Sequence, residues 1–240
     1  MPVFAGLAAA FGAERVGLVA PNGAGKSTLL RLIAGELRPT AGVVAVSGRL
    51  AYLPQTLNLD ADRSVAEILG VASVIAALQA IEAGDTREEL FAAVGDDWDV
   101  AERAAAVLGR LGLGDVELER TVGALSGGQA TLLGLASRLL REPDVLLLDE
   151  PSNNLDRDAR ERLYDVLADW RGCLLIASHD RDLLGRVDRI AELSADGIRF
   201  YGGAFDDYEA AVAAEQAAAA QAVRTAELDV KREKREAQEA

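Results

Sequence analysis

The sequence predicts an α/β layer fold with an all-helical insert and an extended C-terminal helix. Three observations predict it. Strand-like apolar runs alternate with helix-like runs on both sides of the middle of the chain, the pattern of helices packed on a sheet. The strand signals fade between Asp60 and Arg120. From about Phe205 the composition shifts to Ala, Glu, Lys, Arg and Gln with almost no aromatics, which favours a long, mostly exposed helix.

Taken in order, Arg15 to Ala20 reads as a buried strand and Lys26 to Ala34 as a helix stopped by Gly35. Val43-Val44-Ala45-Val46 and Arg49 to Leu53 read as short strands. Within the insert, Ser64-Val65-Ala66-Glu67 and Thr86-Arg87-Glu88-Glu89 have the spacing of a capping box, and Asp97-Trp98-Asp99 opens a third helical run that fades at Gly112. A helix (Gly127 to Arg141), a strand (Val145 to Leu148), a helix (Asp158 to Trp170) and a strand (Cys173 to Ala177) follow. Two short strands near Ile190 and Ile198 precede the final helix.

Composition narrows the function classes. The chain has 240 residues, half of them hydrophobic, enough for a sizeable core. Its net charge of −14 disfavours general binding to nucleic acid or anionic membrane, so such a contact needs a local basic patch. Lys231-Arg232-Glu233-Lys234-Arg235 is one such cluster, and a solvated helix face is its simpler reading. One Cys and one His exclude an internal disulfide and a zinc site built from Cys and His. No run approaches the roughly 18–20 apolar residues that cross a bilayer, so a cytoplasmic location is expected. Cys173, Trp98 and Trp170 read as packing residues.

The strongest local signal is Ala20-Pro21-Asn22-Gly23-Ala24-Gly25-Lys26-Ser27-Thr28, between a strand and a helix. Glycines let backbone N–H groups turn inward around phosphate oxygens, and the helix N-terminus adds partial positive charge. Lys26 can reach the outer phosphates, and the Ser27 hydroxyl can ligate Mg²⁺. The full pattern is G-x-x-x-x-G-K-S/T, and Ala20 replaces its first Gly. That is harmless at negative φ and costs about 1 kcal/mol or more at positive φ.

Val145 to Glu150 is an apolar strand ending in two carboxylates. Asp149 beside a phosphate loop can hold Mg²⁺, and Glu150 can polarise an attacking water. Leu125-Ser126-Gly127-Gly128-Gln129 opens a helix whose bare N-terminus lets an anion come close.

Together and in this order, these strings resemble the ATP-binding cassette (ABC) ATPase family over most of residues 1–203. The resemblance implies a P-loop NTPase core with a mixed sheet, in which residues 60–120 form the inserted helical subdomain. It implies ATP and Mg²⁺ as ligands, with Asn22, Gly23, Ala24, Gly25, Lys26, Ser27 and Thr28 at the nucleotide and Ser27, Gln55 and Asp149 at the metal. Leu125 to Gln129 is similar to the signature motif, which completes the ATP site of a second domain. Val145 to Glu150 is similar to the Walker B strand with its catalytic glutamate, and Gln55 to the Q-loop glutamine. Asn153-Asn154-Leu155-Asp156 is similar to the D-loop, and His179 to the switch histidine.

Finer strings resemble the ABC-F branch: Glu150-Pro151-Ser152-Asn153-Asn154-Leu155-Asp156, Ser178 to Leu184, and Phe200 to Tyr208. That resemblance implies a first ATPase domain (1–203) and the start of a helical linker (204–240). It implies pairing with a second ABC domain, either in a homodimer or in a missing C-terminal half. It also implies a nucleotide-driven switch on the ribosome, in translation or antibiotic resistance, with weak hydrolysis by the isolated domain. The strand carrying the family's adenine-stacking aromatic is expected upstream of Pro2-Val3-Phe4 and is missing from the sequence. The ATPase subunit of a membrane transporter, and a nucleotide-binding regulator with negligible turnover, remain open beside this reading.

Overall fold

The structure, a computed structural model, describes residues 3–4, 6–194 and 196–239, with side chains as far as residue 227. Pro2 and the side chains of the Lys231–Arg235 cluster therefore lie outside the described residues. In chain order come β1 (Arg15–Val19), α1 (Lys26–Ile33) and β2 (Leu50–Leu53). The insert follows as α2 (Val65–Leu69), α3 (Ala72–Glu82), α4 (Glu88–Val94) and α5 (Val100–Arg110). Then come α6 (Gly127–Leu139), β3 (Val145–Asp149), α7 (Arg157–Ala168), β4 (Cys173–Ala177), α8 (Arg181–Leu184), β5 (Arg189–Ser194), β6 (Gly197–Gly202) and α9 (Phe205–Glu239).

The strands form one sheet in the order β2-β3-β4-β1-β5-β6. Every pairing is parallel except β5 with β6, so the sheet is mixed, as expected. β3 and β4 are near-continuous apolar runs because both sheet faces are covered. Leu146, Leu148, Leu174 and Ile176 pack on one face with α6 and α7, while Leu147, Leu175, Val16 and Leu18 pack on the other with α1. Gly17 is needed in β1: a Cβ there would lie 2.5 Å from Leu184 Cδ2 and 2.9 Å from Ile190 Cδ1. That close approach seats α8 on the sheet beside β1.

The parallel order has one consequence for function. In open α/β sheets ligands bind at the carboxyl ends of the strands. Four adjacent parallel strands, β2-β3-β4-β1, end just before Gln55, at Asp149, just before His179, and just before the loop of 20–28. Residues far apart in sequence thus meet at one edge.

The regular elements of the insert are all helices. The Ser64 hydroxyl accepts from Glu67 N at 3.2 Å and the Glu67 carboxylate accepts from Ser64 N at 2.7 Å, closing the expected capping box. The second expected box does not form. Arg87 occupies the N-cap of α4 without a side-chain bond, and its guanidinium is held by Asp85 instead. Val43–Val46 is not a strand either. Val43 is 91% exposed, and no described strand pairs with the run. A strand needs a hydrogen-bonding neighbour, and an apolar run without one stays extended and bare. Trp98 is half-exposed and tilts against Phe91 at 6.1 Å, so it packs only at the surface.

α9 is anchored at its start. The Tyr208 hydroxyl donates to Glu192 at 2.7 Å, and Arg181 pairs with Glu209 at 2.7 Å while lying over the Phe205 ring. Residues 213–227 are exposed on all sides, the solvated helix that the composition predicts.

Candidate functional site

The loop after β1 has the backbone that phosphate binding requires. Gly23 (φ +79°) and Gly25 (φ +101°) are both left-handed, so successive N–H groups face one concavity at the start of α1. The first N–H groups of α1 have no partner inside the helix and lend the loop positive potential. Among the described residues the non-glycines with positive φ are Glu142, Glu150 and Asn154, so Ala20 sits at an ordinary φ and its methyl is tolerated. The Ala20 carbonyl accepts from Lys26 Nζ at 3.2 Å, and His179 Nε2 lies 2.8 Å from the same ammonium. An ammonium only donates, so that contact uses the ring's unprotonated Nε2 as acceptor. Ser27 and Thr28 are half-buried in the first turn of α1.

Asp149 ends β3 and is 3% exposed. Its Oδ2 accepts a long bond from the Tyr52 hydroxyl, 3.4 Å, while Oδ1 is buried with no partner. Burial, then the Asp149 charge, push the Tyr52 pKa up, so this phenol stays a donor. An orphaned buried carboxylate oxygen is costly unless something binds it, and a hard cation is the ligand it suits. Among the described residues no cluster of three or more His, Cys, Asp or Glu could hold a metal alone. A cation here would take its other ligands from hydroxyl, amide and phosphate oxygens, the set Mg²⁺ prefers.

Glu150 follows immediately at φ +49°, a conformation costing a side-chain-bearing residue about 1–2 kcal/mol. Its N–H donates to the Ala177 carbonyl at 2.8 Å, which pins it to the end of β4. Its Oε2 accepts from Ser178 Oγ and His179 N, both at 3.4 Å, and Oε1 lies 3.7 Å from His179 Nε2. The structure thus brings Lys26, Glu150 and His179 together. Gln55 is exposed beyond β2, with no side-chain bond among the described residues.

Leu125–Gln129 forms a separate group. Ser126 caps α6 in a full box with Gln129, with bonds of 3.2 and 2.9 Å. Gly127 is open to solvent, and a Cβ on Gly128 would lie 3.2 Å from the Asn154 carbonyl, so the 153–156 loop packs on this helix start. Asn154 is left-handed (φ +64°), Leu155 is buried, and Asp156 caps α7 by accepting from Ala159 N at 2.8 Å. Among the described residues no hydrogen bond joins 125–129 to the loop of 20–28, to Glu150 or to His179.

Sequence reasoning missed Tyr52 and Ser178. Tyr52 stands three residues before Gln55 on a strand that pairs with β3, a placement visible only once β2 and β3 are known to be neighbours. Ser178 is fully buried beside Glu150 for the same reason, through β3 and β4. Of the aromatics near the loop, Phe4 Cζ would lie 2.9 Å from a Cβ on Gly25, whereas Phe11 packs edge-on against Phe200 at 5.7 Å. Phe4 borders the loop, and Phe11 is engaged elsewhere.

Residues 11–153 match the protein family described as ABC transporter. The chain is 37% identical over 229 residues to the tylosin resistance ATP-binding protein TlrC of Streptomyces fradiae, covering 85% of this chain and 41% of that protein. It is 33% identical over 199 residues to the energy-dependent translational throttle protein EttA of Escherichia coli K12, covering 81% of this chain and 32% of that one. The chain therefore spans less than half the length of these relatives. A nucleotide-free ATP-binding cassette from an ABC transporter superposes with a TM-score of 0.65 at 20% identity, over 88% of this chain and 89% of that one. A dimeric cassette, MJ0796 bound to ADP and Pi, gives 0.64 at 21% identity, over 83% and 90%. At such identities these two likenesses show the fold, while the family match over residues 11–153 settles membership: this chain belongs to the ATP-binding cassette family of ATPases.

Proposed function

We propose that this chain binds and hydrolyses ATP as one half of an ABC-F-type switch acting on the ribosome in the cytoplasm. One observation carries the ATPase reading. The glycine loop, Lys26, the orphaned Asp149 oxygen, Glu150 and His179 all lie at the ends of the adjacent strands β3, β4 and β1.

In this reading the loop N–H groups from Asn22 to Thr28 cradle the phosphates, and Lys26 leaves His179 for the outer phosphate oxygens. Ser27, Gln55 and Asp149 would hold Mg²⁺, which when bound neutralises charge on the phosphates. Glu150 orients a water toward the γ-phosphorus and takes its proton as the bond to ADP breaks, leaving ADP and phosphate. His179, released by Lys26, turns to the γ-phosphate and donates through its proton-bearing ring nitrogen. Residues 1–203 form the ATPase domain and 204–240 begin the linker.

Leu125 to Gln129, with Asn154, Leu155 and Asp156 packed on it, completes the site of a second ABC domain, in a homodimer or in a C-terminal half. The exposed Gly127 and, among the described residues, the absence of hydrogen bonds to the chain's own loop support that arrangement. The isolated chain is accordingly a weak ATPase.

The ribosome enters through the relatives, one named for tylosin resistance and one for translational throttling. The test is sedimentation of Glu150→Gln with ribosomes. ATP-dependent co-sedimentation is expected. Its absence, with association to an integral membrane protein instead, would favour a transporter subunit.

A further inference from the structure

Tyr164 lies in the middle of α7 and is 2% exposed. Its ring fills core volume that a Phe would fill equally well, so the hydroxyl calls for a separate account. That hydroxyl donates to Asp180 Oδ2 at 2.5 Å, a short bond of the charge-assisted kind. The other Asp180 oxygen accepts from Asp182 N at 3.1 Å and Leu183 N at 3.2 Å, capping α8. Asp180 N donates back to Ser178 Oγ at 3.1 Å, and Ser178 Oγ donates to Glu150. The three-residue turn Ser178-His179-Asp180 is thus fastened at both ends. Its central side chain projects from the turn: His179 is about half-exposed, contacts Lys26 and faces Glu150.

Burial alone would raise the Asp180 pKa. Bonds from Tyr164, Ser152 and the Leu183 N–H outweigh it and hold the carboxyl below its ordinary 3.8, so the acceptor is charged. Tyr164 therefore connects the helix that follows Asn154-Leu155-Asp156 to the turn that presents His179.

We propose that Tyr164 is a positioning residue for ATP hydrolysis, fixing the His179 turn through Asp180. The inference rests on the ATPase reading above. A bond that only braced the fold would change melting temperature and leave turnover unchanged well below it. A positioning bond changes kcat, because His179 meets the γ-phosphate after binding, and leaves KM near its parent value.

The experiment is steady-state ATP hydrolysis by the whole chain and by Tyr164→Phe, alone and combined with His179→Ala. Tyr164→Phe is expected to lower kcat about tenfold, the scale of one hydrogen bond to a charged group, with KM within about twofold. In the His179→Ala background it should cost nothing further, since the turn then presents no side chain to position. Asp180→Asn reports the same bond from its other end, and its loss should not add to that of Tyr164→Phe. Unchanged kcat in Tyr164→Phe, or an equal loss with and without His179, overturns the positioning role while the ATPase reading stands. No turnover by the parent chain at any concentration overturns the ATPase reading, and the positioning role with it.

Discussion

Glu150→Gln separates the chemistry of the carboxylate from its share in the fold. The side chain keeps its volume, and the backbone stays at φ +49° in either case. The two bonds that the carboxylate accepts, from Ser178 Oγ and His179 N, are long at 3.4 Å, and an amide oxygen can accept both. The stability change should therefore be under about 1 kcal/mol, or roughly 2–4 °C in melting temperature for a chain of this size. An amide cannot take the proton of the attacking water, so turnover should fall by about 10²–10⁴, equivalent to about 2.7–5.4 kcal/mol on the barrier. Glu150→Gly provides a second axis. It relieves about 1–2 kcal/mol of left-handed strain but adds about 0.5–1 kcal/mol of glycine entropy, so its stability should be within about 1.5 kcal/mol of the parent while its turnover is equally lost. Phosphate release and thermal melting, run on the same preparations, give both numbers. Parent-like turnover in Glu150→Gln would refute the assignment of the base. A fall of ten degrees or more would make the carboxylate a structural group.

Other predictions follow from the same geometry. Lys26→Ala should lose at least tenfold in ATP affinity while its melting temperature without nucleotide stays within about 4 °C of the parent, since among the described residues the Lys26 ammonium bonds only the Ala20 carbonyl and His179; isothermal titration and melting check the two halves. Stability should also fall in acid. Asp188 is held below its ordinary 3.8 by bonds from Arg15, at 2.6 Å for the closest, so the unfolded chain binds the proton more readily. Its contribution is complete above pH 3.8 and is lost as pH drops through the folded-state pKa, so Asp188→Asn should lose less stability between pH 7 and pH 3 than the parent, read as urea midpoints. An identical loss in both proteins would remove that ion pair from the acid response.

Most of the fold was legible because the central strands of the sheet are parallel and buried. Val145–Asp149 and Cys173–Ala177 are apolar on both faces, and Ser64 and Ser126 carry capping signals that the backbone obeys. The failures are local and physical. Val43–Val46 has the composition of a strand, but pairing is a property of two segments, and no described strand pairs with it. Thr86 has the spacing of a cap, yet the neighbouring Asp85–Arg87 pair takes its place. In the candidate site, the loop, the two carboxylates and the histidine stand at readable spacings. Tyr52, Ser178 and Tyr164 do not, because each acts through a neighbour that only the sheet order or the packing of α7 on the sheet supplies.

In the proposed arrangement the chain carries two incomplete halves of an ATP site, with Lys26, Asp149, Glu150 and His179 in one and Ser126 to Gln129 in the other. Light scattering on Glu150→Gln, with and without ATP, tests it most directly. The expected result is a monomer without nucleotide, an ATP-driven head-to-tail dimer, and loss of that dimer in Ser126→Arg with ATP binding by the monomer retained. Turnover by the parent that is independent of protein concentration, from a species that scatters as a monomer, would contradict it and make the site self-contained.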